Sequence, residues 1–129
     1  MTSSTAASFS PGPPLTPAVF HILLALFDQE RHGYGIMLEV ERATAGELRM
    51  GPGTLYGSIK RMLAGGLIEE SDTRPDPGLD DERRRYYRLT PLGRQALLAE
   101  TARLKQALRA AQAKGAAPRA ADSRSKAAG

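Results

Sequence analysis

The chain has 129 residues, 18 Lys and Arg against 14 Asp and Glu, and no cysteine. One domain is the expectation for that length, and the missing cysteine excludes disulfides, thiolate catalysis and cysteine-ligated zinc. The longest apolar run, Ile22–Phe27, is six residues, far short of a bilayer span, and the first thirty residues hold no Lys or Arg, so neither a membrane anchor nor a signal peptide is expected. The reading at this point is a soluble, cytoplasmic protein.

The charge is unevenly spread. Met1–Glu82 carries 6 basic and 12 acidic residues, a net −6, whereas Arg83–Gly129 carries 12 basic and 2 acidic, a net +10. A basic half suits a polyanion, although a solvated basic helix would give the same count.

Residues 1–14 are mostly Ser, Thr, Ala, Pro and Gly, and residues 114–129 are mostly Ala, Gly, Ser, Lys and Arg. Neither segment can bury enough apolar surface to offset its chain entropy, so both are expected to be disordered tails. The first helix is expected over Thr16–Phe27, with Thr16 as cap and Pro17 in the first turn. Its apolar residues, Val19, Phe20, Ile22, Leu23, Leu24, Leu26 and Phe27, lie almost all round it. Such a helix needs cover on every side. About 100 residues can cover only one side, so the other is expected to meet a second copy through Phe20, Leu23 and Phe27, the alternative being that the fourth helix of the same chain covers it.

Asp28–Gly33 reads as a polar turn and Tyr34–Ala45 as a second helix stopped by Gly46. The third helix is expected over Pro52–Ala64. Leu55, Ile59, Met62 and Leu63 form one apolar stripe. The opposite face holds Gly53, Thr54, Gly57, Lys60, Arg61 and Ala64, with Tyr56 on the flank. Leu67–Asp72 then reads as a strand, Thr73–Arg83 as a loop, and Arg84–Leu89 as the return strand. Thr90-Pro91 repeats the cap-and-proline start, opening a fourth helix over Pro91–Ala113. Its residues Leu97, Thr101, Leu104, Leu108 and Ala111 are spaced 4, 3, 4 and 3, a short heptad-type seam. Leu97, Leu104 and Leu108 are expected to pack on the equivalent chain, because a projecting helix is not stable on propensity alone.

The fold class is therefore α+β, mainly α. A winged helix-turn-helix of three helices and a two-stranded wing occupies 15–90, and a dimerisation helix follows over 91–113. The third helix has the form needed to enter a major groove. Gly53, Gly57 and Ala64 keep its outer face low, Thr54 stands near an N-terminus able to take phosphate, and Lys60 and Arg61 can reach phosphate or a guanine edge. Arg83, Arg84, Arg85 and Arg88 cluster with Tyr86 and Tyr87 and suit a backbone-contacting wing, with Tyr87 itself read as a core residue. The acidic loop Asp76, Asp80, Asp81 and Glu82 opposes a contact at the wing tip, unless it points away or pairs with the arginines. No catalytic constellation assembles: His21 reads as a satisfied packing residue, Ser58 and Ser71 lack a base, and Gly51-Pro-Gly-Thr lacks the ending of a nucleotide loop. No enzyme, no cofactor and no metal site are expected.

Four blocks taken together go further: Arg31-His-Gly-Tyr-Gly-Ile, Gly53-Thr-Leu-Tyr-Gly-Ser-Ile-Lys-Arg-Met, Gly66-Leu-Ile-Glu-Glu, and Arg84-Arg-Tyr-Tyr-Arg-Leu-Thr-Pro-Leu-Gly-Arg. In this order and at these distances, the chain from Leu15 to about Leu108 resembles the PadR family of bacterial transcription regulators. The short C-terminus resembles its smaller subfamily with a single dimerisation helix. The resemblance implies a homodimeric repressor of nearby promoters, commonly relieved by a small molecule. It also implies DNA contacts by Tyr34, Thr54, Tyr56, Lys60 and Arg61, and by Arg84 and Arg85 at the hairpin. The expected partners are a double-stranded operator with imperfect palindromic symmetry, a second copy of the chain, and a small apolar effector held between subunits near Phe20, Phe27 and the Leu97–Leu108 seam. The competing expectation is a winged-helix protein-interaction module whose basic hairpin only aids solubility.

Overall fold

The computed structural model describes residues 14–71 and 85–118. The elements in chain order are α1 (Pro17–Phe27), β1 (Arg31–His32), α2 (Gly33–Ala43), α3 (Pro52–Ala64), β2 (Ile68–Ser71), β3 (Tyr86–Leu89) and α4 (Pro91–Ala113). Three of the four helices begin by a local device. The Thr16 hydroxyl accepts the Val19 N–H at 3.2 Å, the Thr90 hydroxyl accepts that of Gly93 at 3.0 Å, and each threonine is followed by a proline that presets the first turn. At α2 the cap is a ring: His32 Nδ1 accepts the Gly35 N–H at 2.9 Å. α3 ends in a tight reversal in which Gly66 takes φ +77° and the Leu67 N–H returns to the Met62 carbonyl at 2.9 Å. That left-handed backbone is the reason for a glycine at 66.

The sheet is antiparallel with strand order β1-β3-β2. Ile68, Glu69, Glu70 and Ser71 of β2 face Leu89, Arg88, Tyr87 and Tyr86 of β3. On its other edge β3 meets β1, Arg31 opposite Tyr87 and His32 opposite Tyr86. The polar turn expected over Asp28–Gly33 thus contains a strand, and the wing has three strands rather than two. The cause is non-local: two residues become a strand only because β3 supplies the partner. Arg31 also ties the strand to α1, its Nε donating to the Ala25 carbonyl at 2.7 Å.

The second helix ends two residues before the expected Ala45. The Thr44 hydroxyl donates to the Val40 carbonyl at 2.8 Å and accepts the Leu48 N–H at 3.1 Å, and Ala45 is already left-handed at φ 52°. On this helix Arg42 grips the Glu39 carboxylate with two hydrogen bonds of 2.9 and 2.6 Å, and Arg31 stands 3.8 Å away. The Arg42 hydrogen bond, with the charges of Arg42 and Arg31 behind it, holds the Glu39 carboxyl below its ordinary value against a smaller opposing effect of burial. A depressed folded pKa stabilises above the unfolded value and loses that stabilisation as pH falls through the folded one. Glu39→Gln is therefore expected to lower the melting temperature by a few degrees at most at pH 7, and the gap from wild type should close in melts at pH values below the ordinary carboxylate range.

One core joins the elements: Ile22, Leu23, Ala25 and Leu26 of α1, Ile36 and Val40 of α2, Leu55, Ile59 and Met62 of α3, Ile68, Tyr87 and Leu97, with Met50 from the connector. Each fully buried Ile or Leu contributes roughly 1.5–3 kcal/mol. Leu23 and Leu97, expected at a subunit interface, are 0 % and 2 % exposed in the single chain. They belong to its own core, because α1 packs against α2, α3, α4 and β3 and so turns most of its surface inward. The exposed large apolar side chains of α1 are Leu24 and Phe27, and Arg94 lies over the Phe27 ring at 4.6 Å. Phe20 is partly buried against the core. His21 departs from expectation as well: its Nδ1 is buried with no hydrogen-bond partner among the described residues, and its ring meets Phe20 edge-on at 5.1 Å.

The start of α4 is part of this core. Gly93, Leu97 and Glu100 are buried, and Glu100 accepts the Leu15 N–H at 3.2 Å while pairing with Arg103. From Thr101 to Ala110 all but Arg103 is exposed, including Leu104 at 47 % and Leu108 at 50 %. None of the helices among the described residues is long and apolar enough to cross a membrane. Arg84 and the acidic loop 76–82 lie outside the described residues, as do residues 1–13 and 119–129 of the expected tails.

Candidate nucleic-acid interface

The outer face of α3 is where the sequence placed it. Its stripe of Leu55, Ile59 and Met62 is buried, so the opposite side is turned to solvent. Gly53, Thr54, Lys60, Arg61 and Ala64 are exposed, and Gly57 is half-buried. A methyl group added at Gly53 would meet nothing within 4 Å, and one at Gly57 only the Arg61 Nη1 at 3.6 Å. The surface between Thr54 and Lys60 is thus low because no side chain fills it. α3 begins at Gly51 with no side-chain cap and no acidic residue in its first turn. Its N-terminal N–H groups and the positive end of its dipole remain available to an anion. Among the described residues neither Lys60 nor Arg61 has a carboxylate partner. Arg61 Nη2 instead donates to the buried Ser58 hydroxyl at 3.3 Å, which draws the guanidinium along the helix.

Tyr56 sits at the crossing of α2 and α3. A Cβ at the buried Gly33 would come within 2.4 Å of the Tyr56 Oη, so the glycine is the space that the phenol occupies. Sequence reasoning placed Tyr56 on the flank and missed this seat. The signal was a glycine at the first position of α2, where helix propensity alone would favour almost any other residue. Tyr34, expected as a contact only by resemblance, is exposed at 57 %, its ring parallel to that of His32 at 6.5 Å. His32 in turn meets Tyr86 of β3 edge-on at 5.3 Å. The cap of α2 therefore links Tyr34 to the wing.

The wing differs from the expectation in its charges. Arg85 Nη1 lies 3.0 Å from Glu70 Oε2, and Arg88 Nε lies 2.8 Å from Glu69 Oε2, with Glu30 at 3.9 Å from Arg88. Glu69 and Glu70 of β2 are the partners seen among the described residues, and Asp81 and Glu82 lie outside those residues. The cross-strand register explains the choice, since Glu69 stands directly opposite Arg88. Among the described residues there is no grouping of His, Cys, Asp or Glu able to hold a metal ion.

Comparison with known proteins identifies the family. The model of the transcriptional regulator PadR-like family matches residues 22–99, from the core of α1 through the buried turns of α4. The chain belongs to the PadR-like family. It is 38% identical over 89 residues to the transcriptional regulator Rv3488 of Mycobacterium tuberculosis, covering 69% of this chain and 77% of that protein. A PadR family transcription regulator from Clostridium difficile R20291 superposes with a TM-score of 0.62 at 23% identity, over 75% of this chain and 96% of that one. Bacillus subtilis PadR, solved in complex with operator DNA, gives 0.53 at 22% identity, over 63% of this chain and 44% of that one. At such identities the two structures establish the PadR-like winged-helix fold and nothing finer.

Proposed function

We propose that this PadR-like protein is a homodimeric, sequence-specific DNA-binding repressor. The observation that carries the reading is the bare face of α3, where Gly53 and Gly57 leave room for a groove beside Thr54, Lys60 and Arg61. Two copies of α3 enter successive major grooves roughly 34 Å apart on an imperfect palindrome. Tyr34, Tyr56, Arg84 and Arg85 flank them on the sugar-phosphate backbone. The operator complex of Bacillus subtilis PadR supports the assignment, as does the regulator Rv3488. The exposed Leu104 and Leu108 of α4, together with Leu24 and Phe27 of α1, offer apolar surface to a second copy. A small apolar effector held between the copies acts only if it binds one spacing of the two α3 helices more tightly than the other.

The test is selection of bound sequences from random duplexes, followed by binding of the recovered operator at several salt concentrations. Two half-sites one turn apart are expected. Lys60 and Arg61 from both copies should give a slope of log K against log salt of about −4 or steeper. Recovery of no common sequence, together with affinity that ignores salt, would favour a protein-interaction module instead.

A further inference from the structure

We infer that Glu70 restrains the sequence-independent DNA affinity of the wing by holding Arg85 in an ion pair. The inference rests on the DNA-binding reading above and concerns a residue with no part in it. Arg85 stands one position before β3, at the end of the hairpin that leads into the connection between β2 and β3. Its guanidinium is 3.0 Å from Glu70, and both side chains are 46% exposed, so a polyanion can reach the pair. Strand alternation puts Glu69 and Arg88 on the other face of the hairpin, paired at 2.8 Å. Each face of the wing thus matches a described arginine with a glutamate, whereas Lys60 and Arg61 on α3 are exposed and have no carboxylate partner among the described residues.

That contrast has a consequence for DNA of arbitrary sequence. Affinity for such DNA comes almost wholly from cations that replace condensed counterions. A guanidinium already beside a carboxylate carries no net field toward a phosphate. Arg85 can neutralise a phosphate only by giving up Glu70, and on DNA of arbitrary sequence that exchange gains too little to open the pair in most copies. α3, whose Lys60 and Arg61 have no carboxylate partner among the described residues, therefore supplies a larger share of the affinity than the arginine count of the wing implies.

The experiment is fluorescence anisotropy with a random-sequence duplex and full-length wild type, Glu70→Gln, Arg85→Gln and the double variant, each at several salt concentrations. Glu70→Gln is expected to bind the random duplex about five- to tenfold more tightly at 50 mM salt, with a slope steeper by about 2 per dimer, one new phosphate contact in each copy. The double variant should lose that gain and match Arg85→Gln. Unchanged or weakened binding by Glu70→Gln would overturn the inference. So would a gain that survives in the double variant, since it would come from net charge and not from release of Arg85. If the wild type retains no duplex at any salt, the DNA-binding reading fails and this one with it. If the wild type binds and Glu70→Gln leaves it unchanged, only this one fails.

Discussion

Gly93→Ala is expected to destabilise the protein by about 2–4 kcal/mol, although the same change in an ordinary helix interior stabilises by up to about 1 kcal/mol. Gly93 lies in the first turn of α4, where that helix crosses the corner between α3 and β2. A Cβ built there would be 2.0 Å from the Leu67 carbonyl oxygen and 3.0 Å from its carbon. The obstacle is backbone, which cannot swing aside as a side-chain tip can. The corner is also fastened from the other side. The Thr90 N–H donates to the Leu67 carbonyl at 3.1 Å, and the Thr90 hydroxyl lies 2.6 Å from the Gly66 carbonyl oxygen. Relieving the clash therefore strains hydrogen bonds that join α4 to the wing, and it withdraws Leu97 from the core. A domain of this size should lose roughly 10–25 °C in melting temperature. Gly53→Ala is the control: nothing lies within 4 Å of that position, so the variant should melt at or slightly above wild type. Thermal melts of the two variants side by side check the prediction. A Gly93→Ala protein as stable as wild type would mean that α4 does not approach β2 so closely.

The contrast between these two glycines marks what could be read in the sequence. Local devices were legible. Thr-Pro starts, the apolar stripe of Leu55, Ile59 and Met62, and the Gly65-Gly66 stop fixed α3 over Pro52–Ala64 and α4 over Pro91–Ala113, the bounds observed. They also fixed which side of α3 is free. Features set by another part of the chain were not legible. Two-residue β1 has no periodicity and exists through Tyr86 and Tyr87. Leu23 and Leu97 carry the same apolar pattern whether covered by their own chain or by a partner, and only packing separates the cases. Arg85 was identified as a cation, but its pairing with Glu70 depends on hairpin geometry fifteen residues apart in sequence. The seat of Tyr56 on Gly33 is of the same kind, a contact between two helices that pattern places no closer than neighbours.

Gly57→Leu should separate stability from binding. In the free protein the new side chain has room: only the Arg61 Nη1 is near, 3.6 Å from the Cβ position, and that tip can move. Replacing a mid-helix glycine should also raise helix propensity by about 0.8 kcal/mol, so the variant is expected to melt a few degrees above wild type. Its affinity for the operator should nevertheless fall at least about 100-fold, a loss of about 2.8 kcal/mol. A major groove about 12 Å wide accepts a helix only if its leading face is slim. An isobutyl group between Thr54 and Lys60 would hold the backbone of α3 away from the base edges. Phosphate contacts from Lys60 and Arg61 would be lengthened together, so binding to random duplex should weaken less than binding to the operator. Melting curves and gel shifts on one preparation measure both effects. A Gly57→Leu protein that binds its operator normally would place some other surface in the groove, because no rotation of α3 about its own axis can bury that side chain and still present Thr54 and Lys60 to the bases.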